Sequence, residues 1–271
     1  MISSVKNWFQ DIVDYFRFVH IRRIDQRFGI LPGYFNTLGF LAISAVLIVA
    51  LLLFADPVVL EWIRQPDRQY PKIFRTITLL GSVNWILFIT GTILVLLSLR
   101  NARRFKGQKN LNWHRLFLNA YFTFTGTVFT GLLGNLFKNL IGRARPQFTP
   151  QSEIWYAIPL EHHYQFASFP SGHATTSGAI TVILALLFPR WWLFFIIAGI
   201  LVAVSRPVLG VHFPSDILAG FLFGGSFIWI YARLFARKRL LFAFDEQGKL
   251  ILRGEPKLKP LPGSANGTEI N

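Results

Sequence analysis

Apolar and polar positions in this chain separate into long blocks. Residues 29–55, 76–99 and 116–137 contain no Asp, Glu, Lys or Arg, and each run exceeds the roughly 20 residues that an α-helix needs to cross the hydrocarbon core of a bilayer. Three more charge-free runs, 174–189, 191–205 and 217–232, are shorter. At about 1.5 Å per residue, about 16 residues make roughly 24 Å of helix against a core near 30 Å. These runs can span only if their polar flanks enter the membrane edge, and the flanks hold His173, Arg206 and Asp216. The pattern predicts an all-α, six-transmembrane helical bundle, with spans at about 38–55, 80–99, 116–137, 173–189, 191–205 and 216–233.

Composition supports a membrane protein. Of 271 residues 52% are apolar and only 15% charged, yet the formal net charge is +15 and the mean hydropathy +0.43, a combination rare in water-soluble domains. The 28 Phe, 8 Trp and 7 Tyr exclude disorder as the main state. Absence of Cys excludes a disulfide framework, a thiolate zinc site, an iron–sulfur cluster and a cysteine nucleophile. The Lys and Arg residues lie between apolar runs, so the expected partner is the lipid bilayer and no nucleic acid. With six spans, the side holding both termini carries 20 Lys and Arg and the other side 8, while acidic residues divide 7 to 6. The positive-inside rule then makes both termini cytoplasmic.

Three stretches follow from this layout. Residues 1–37 form a cytoplasmic N-terminal segment, in which Phe9, Ile12, Val13, Phe16 and Val19 recur at helical spacing beside Arg17, Arg22 and Arg23. That suits an amphipathic helix on the inner leaflet, and equally a packing helix. Residues 38–235 hold the spans, and residues 236–271 read as a cytoplasmic tail rich in Gly and Pro. No signal peptide is expected, because the first apolar run starts late and is too long for an h-region.

Helix parity brings four polar segments to the non-cytoplasmic side: Lys138 to Pro146, Pro170 to His173, Ser205-Arg206, and His212 to Asp216. Lys138, Arg145 and Arg206 could each be a snorkelling cation. Together, on the side where cations are disfavoured, they call for an anion that Asp216 alone cannot supply. Ser171, Gly172 and His173 begin a helix after Pro170, which directs unpaired backbone N–H groups at the same space; alone this is a Ser N-cap, and beside three cations it is a phosphate cradle. On a helical start to the last span, His212 and Asp216 would share a face, the carboxylate fixing the imidazole tautomer. Such an imidazole is a competent nucleophile toward phosphorus, and His173 suits the general acid. His162 and His163 have no matching spacing and read as surface residues.

These segments resemble the signature of the type 2 phosphatidic acid phosphatase superfamily, which membrane lipid phosphatases share with glucose-6-phosphatase and the vanadium haloperoxidases. Lys138, Arg145 and Pro146 meet its first motif, Pro170 to His173 its second, and Ser205, Arg206, His212 and Asp216 its third. All eleven specified positions match. The resemblance implies phosphate binding by Lys138, Arg145, Ser171, Gly172 and Arg206, attack by His212, orientation by Asp216 and proton donation by His173, with no metal or cofactor. It implies a phosphorylated membrane lipid as substrate: phosphatidic acid, phosphatidylglycerol phosphate, undecaprenyl pyrophosphate or a lipid A phosphate. The expected setting is the bacterial inner membrane with the site facing the periplasm. A lipid phosphotransferase, or a non-enzymatic lipid-phosphate binding protein, could use the same cradle.

Overall fold

The computed structural model describes residues 28–31, 33–65, 69–100, 111–150 and 153–253; the amphipathic spacing at 8–23 and the end of the tail lie outside them. Helix α1 (Tyr34–Ala50) passes through a π-helical turn, Leu51–Ala55, into α2 (Asp56–Ile63). The widened turn precedes Pro57, which has no N–H to donate to the preceding turn and crowds the carbonyl there. Together these pieces form an apolar helix over Asn36–Ile63, 28 residues long. It continues past Asp56, where the charge-free run stops, because that carboxylate is buried against protein partners.

Helix α3 (Lys72–Ile77) and the 3₁₀ turn Thr78–Gly81 meet α4 (Val83–Arg100), and the two halves are bent by 41°. Then come α5 (Leu111–Ile141), α6 (Gly172–Leu187), α7 (Trp192–Val208) and α8 (Pro214–Arg237). Pro207 falls in the last turn of α7, which ends one residue later. Among the described residues four helices are long and apolar enough to cross a membrane, five if the bent pair is one span, and α6 is a shorter apolar helix of 16 residues.

The chain is mostly helical rather than all-α. Beyond α8, β1 (Phe242–Phe244) pairs antiparallel with β2 (Leu250–Leu252), placing Ala243 opposite Ile251. Asp245 closes the turn by accepting the Gln247 and Lys249 N–H groups at 3.0 and 2.8 Å. Strands of 3 residues are too short for alternation to stand out in the sequence.

Glycine sets the central packing. A Cβ on Gly178 of α6 would lie 2.1 Å from the Phe221 carbonyl oxygen of α8, and one on Gly224 of α8 would lie 2.0 Å from the Thr175 oxygen. The two backbones therefore touch, as small residues permit between membrane helices. An apolar cluster of Leu118, Phe122, Ile183, Ile228, Phe235 and Phe242 fills the end where α5 begins and α6 and α8 finish. There Arg233 donates to the Gly29 and Ile30 carbonyls at 2.8 Å each, and the Phe28 and Phe244 rings lie 5.1 Å apart. The opposite end, where α5 and α7 finish and α6 and α8 begin, is polar.

Candidate active site

The loop leaving α5 turns at Gly142, whose φ is +60° and whose added Cβ would lie 1.8 Å from the Ile158 carbonyl oxygen. Only glycine fits both conditions. The following residues run beside a second loop segment: Ile158 donates to the Gly142 carbonyl at 2.8 Å and Ala144 to the Tyr156 carbonyl at 2.7 Å. Arg143 and Arg145 leave this strand-like stretch toward different partners. Arg145 donates from Nε to the Tyr164 carbonyl at 3.0 Å and from Nη1 to the Val211 carbonyl at 3.3 Å, and its guanidinium lies 3.8 Å from the centre of the Tyr164 ring. Burial pulls its pKa below the ordinary arginine value, against the favourable charge of Asp216.

Lys138, in the last turn of α5, brings Nζ to 3.4 Å from where a Gly172 Cβ would stand. Ser171 caps α6; its backbone N–H donates to the Asp216 carbonyl at 3.1 Å, while its buried Oγ has no hydrogen-bond partner among the described residues. His173 packs against the 3₁₀ turn, its Cδ2 3.2 Å from the position of a Gly81 Cβ. The same turn holds Arg206, which donates from Nη1 to Thr78 Oγ1 at 2.9 Å and has a buried Nε with no partner among the described residues. Lys138 lies against Gly172, Arg206 shares the Thr78–Gly81 turn with His173, and Arg145 reaches the Val211 carbonyl beside His212. The sequence-predicted cations thus converge on one space, together with the start of α6.

His212 is not on a helix. Pro214 opens α8, His212 precedes it, and Asp216 folds back as a cap whose Oδ2 accepts the Phe213 N–H at 2.9 Å. The expected shared helical face is replaced by this loop, since proline cannot continue a helix backwards through its missing donor. The pairing survives: His212 Nδ1 lies 3.6 Å from Asp216 Oδ2 and 3.4 Å from Ser168 Oγ. Ser168 donates its hydroxyl proton to Asp216 Oδ2 at 2.6 Å. Nδ1 therefore carries the ring proton toward this pair of oxygens, and Nε2 keeps its lone pair. Burial lowers the His212 pKa to about 3, outweighing the favourable pull of the Asp216 carboxylate on the ring proton, so the ring is neutral near pH 7.

Asp216 pairs with Arg143, an arginine outside the set of Lys138, Arg145 and Arg206. Its Oδ1 accepts Arg143 Nη1 at 2.6 Å, and Arg143 Nη2 donates to Asp56 Oδ2 at 2.8 Å. Both carboxylates and the guanidinium are fully buried. Arg143, Asp56, Ser168, Ser215 and Thr78 are the site residues that spacing did not single out. The signal for Asp56 was present, as the one acidic residue ending the longest apolar run. His162 and His163 are exposed, the latter bonded to Glu161. Among the described residues, no group of three His, Cys, Asp or Glu side chains could hold a metal ion.

Comparison with known proteins completes the picture. Residues 120–240 match the PAP2 superfamily. The lipid A 1-phosphatase of Rhizobium johnstonii is 35% identical over 226 residues, covering 81% of this chain and 88% of that protein. The lipid A 1-phosphatase of Rhizobium etli is 45% identical over 131 residues, covering 48% of this chain and 56% of that one. A solved PAP2-type phosphatidylglycerolphosphate phosphatase from Bacillus subtilis aligns with a TM-score of 0.48 at 24% identity, covering 73% of this chain and 92% of that one. With apolar helices of membrane length and a relative 35% identical across 88% of its sequence, the chain belongs to the PAP2 superfamily and is an integral membrane phosphatase, a hydrolase of phosphate ester bonds.

Proposed function

We propose that this protein removes the 1-phosphate of lipid A through a phosphohistidine intermediate, without a metal, at the periplasmic edge of the bacterial inner membrane. The observation that carries this reading is that buried Arg206 Nε and Ser171 Oγ have no hydrogen-bond partners among the described residues, at the end of the bundle that also holds Lys138, Arg145 and a neutral His212. Buried donors are satisfied in native proteins, and a phosphate oxyanion satisfies both. The two lipid A 1-phosphatases from Rhizobium support the choice of lipid.

The phosphoryl oxygens sit among Lys138, Arg145, Arg206, Ser171 and the Gly172 N–H. His212 Nε2 attacks phosphorus and forms the N–P bond as the P–O bond to the lipid breaks. His173 takes up the proton carried by the bound phosphate monoester, whose negative charge stabilises the imidazolium, and passes it to the departing oxygen. Asp216 and Ser168 hold the cation that develops on the ring. Water then attacks phosphorus, gives its proton to His173 and returns the N–P electrons to Nε2, releasing inorganic phosphate. The protein's own cations supply the charge stabilisation that a metal ion supplies elsewhere.

In this reading the chain crosses the membrane six times, with both termini cytoplasmic. The contact between Phe28, before the first span, and Phe244, after the last, supports an even number of crossings. The short α6 raises five to six, and the 20-to-8 distribution of Lys and Arg supports the orientation.

The test is phosphate release in proteoliposomes containing lipid A, phosphatidic acid, phosphatidylglycerol phosphate or undecaprenyl pyrophosphate, with EDTA present. Lipid A is the expected best substrate, vanadate inhibits, and His212→Gln loses roughly 10³-fold or more. Undiminished release by that variant would overturn the nucleophile, and a strict Mg²⁺ requirement the metal-free route.

A further inference from the structure

The buried ion cluster behind His212 has more charge than an orienting carboxylate needs. Arg143 bridges Asp216 Oδ1 at 2.6 Å and Asp56 Oδ2 at 2.8 Å, with Ser215 Oγ accepting from its Nη1 at 2.7 Å. Ser215 in turn donates its N–H to Asp56 Oδ1 at 3.0 Å and its hydroxyl to Asp56 Oδ2. The guanidinium is enclosed by the Trp155 and Phe213 rings, 4.6 and 4.2 Å from its carbon. Asp56 reaches this place from the first apolar helix, 159 positions before Ser215.

Charge accounting explains the arrangement. An Arg143–Asp216 pair alone would be neutral, and the carboxylate would offer little to a histidine becoming positive beside it. Addition of Asp56 leaves one net negative charge in a dry site, where electrostatic effects are strong. The fork of Arg143 also fixes Asp216 from the side opposite Ser168, so that Oδ2 stays toward His212 Nδ1.

We propose that Asp56 and Arg143 are positioning residues for the phosphatase reaction: Arg143 locks the Asp216 carboxylate in place, and Asp56 restores the negative charge that Arg143 would otherwise cancel, so that His212 can carry positive charge as its bond to phosphorus forms. The first span is thereby part of the active site, although it holds no signature residue. The inference rests on His212 being the nucleophile. Neither residue touches the phosphate, so the effect falls on kcat and leaves KM.

The experiment compares wild type, Asp56→Asn, Arg143→Gln and the double variant in the lipid A proteoliposome assay, below the thermal midpoint of each, with His212→Gln alongside. The net charge of the cluster is cancelled in Asp56→Asn and regained in the double variant. Asp56→Asn lowers kcat roughly 10- to 100-fold, the range found when a residue supporting a reactive site from behind is removed, with KM within about threefold. The double variant recovers at least about fivefold of that loss, a coupling that a purely structural role does not produce. An Asp56→Asn kcat within about twofold of wild type, an equal change in KM, or a double variant no faster than Asp56→Asn overturns the proposal. If Asp56→Asn fails to fold, Arg143→Lys carries the test, because it keeps the charge but cannot bridge two carboxylates. Its kcat should fall at least about tenfold, and wild-type kcat overturns the proposal. Full activity in His212→Gln would instead sink the nucleophile reading, whatever the Asp56 result.

Discussion

The first apolar helix and α6 are built on opposite principles. Over Asn36–Ile63 none of the most apolar stretch is buried, and Leu41, Ile43, Val46 and Phe54 are all exposed. Its buried residues, Asp56 and Leu60, both lie toward its C-terminal end. Helix α6, with 16 residues, buries Ala174, Thr175, Ser177, Gly178, Ala179, Thr181 and Ile183. Hydropathy measures how well a helix suits lipid, whereas close helix contact demands small and weakly polar residues. The helix that opens the proposed phosphate cradle is therefore the one that least resembles a span.

The largest effect should come from the α6–α8 contact. Gly224→Val forces side-chain atoms into the Thr175 carbonyl and should destabilise the fold by about 3 kcal/mol or more, read as the thermal midpoint in detergent with phosphate release lost; a wild-type midpoint would break the contrast. Next is Arg206→Ala, expected to lower kcat/KM roughly 10²- to 10³-fold, while Arg190→Ala, exposed near the other end of α7, should stay within about twofold. Equal losses at both positions would make them alike as interfacial cations. A smaller effect is acid sensitivity. The folded His212 pKa of about 3 lies below its ordinary 6.5, so between these values the unfolded chain binds a proton that the folded chain excludes. Stability from this group is complete above about pH 6.5 and falls as pH drops toward 3. Denaturation midpoints across that range should flatten in His212→Gln, and an unchanged slope would remove the buried neutral ring from the explanation. The smallest effect is Val46→Ala on the exposed helix, expected within about 0.5 kcal/mol; a larger loss of midpoint would mean that this face packs on something.

The convergence of the proposed cradle's residues was legible because they sit at the ends of apolar runs, where a polar residue stands out. Lys138, Arg145, Ser171 and Arg206 could be drawn together by helix parity alone. Arg143 could not, since in the sequence it is one more outward cation between two motif positions, and its partner Asp56 looks like the stop of an apolar run. Only the fold reveals that the two cancel one another's cost. Ser168 was hidden for a similar reason: two residues before Pro170, in a loop, it has no periodicity to mark it. The hairpin at Phe242–Leu252 escaped because its strands are short and its apolar residues serve the bundle, Phe242 being fully buried.

The wide turn at Leu51–Ala55 has a consequence for how Asp56 finds its target. Each residue added to or removed from a helix rotates everything beyond it by about 100° around the axis. Upstream of the turn most side chains are exposed and none is buried among the described residues, with half-buried positions such as Thr37, Ser44 and Ile48 on one face, so such rotation disturbs few contacts. Downstream, the bearing of a single carboxylate decides whether Arg143 is met or missed. The bulge thus works as a phase adjuster placed where slippage costs little on one side and is decisive on the other, so that deleting one residue within 51–55 should swing Asp56 away from the bundle while the mostly exposed half of the rod changes little.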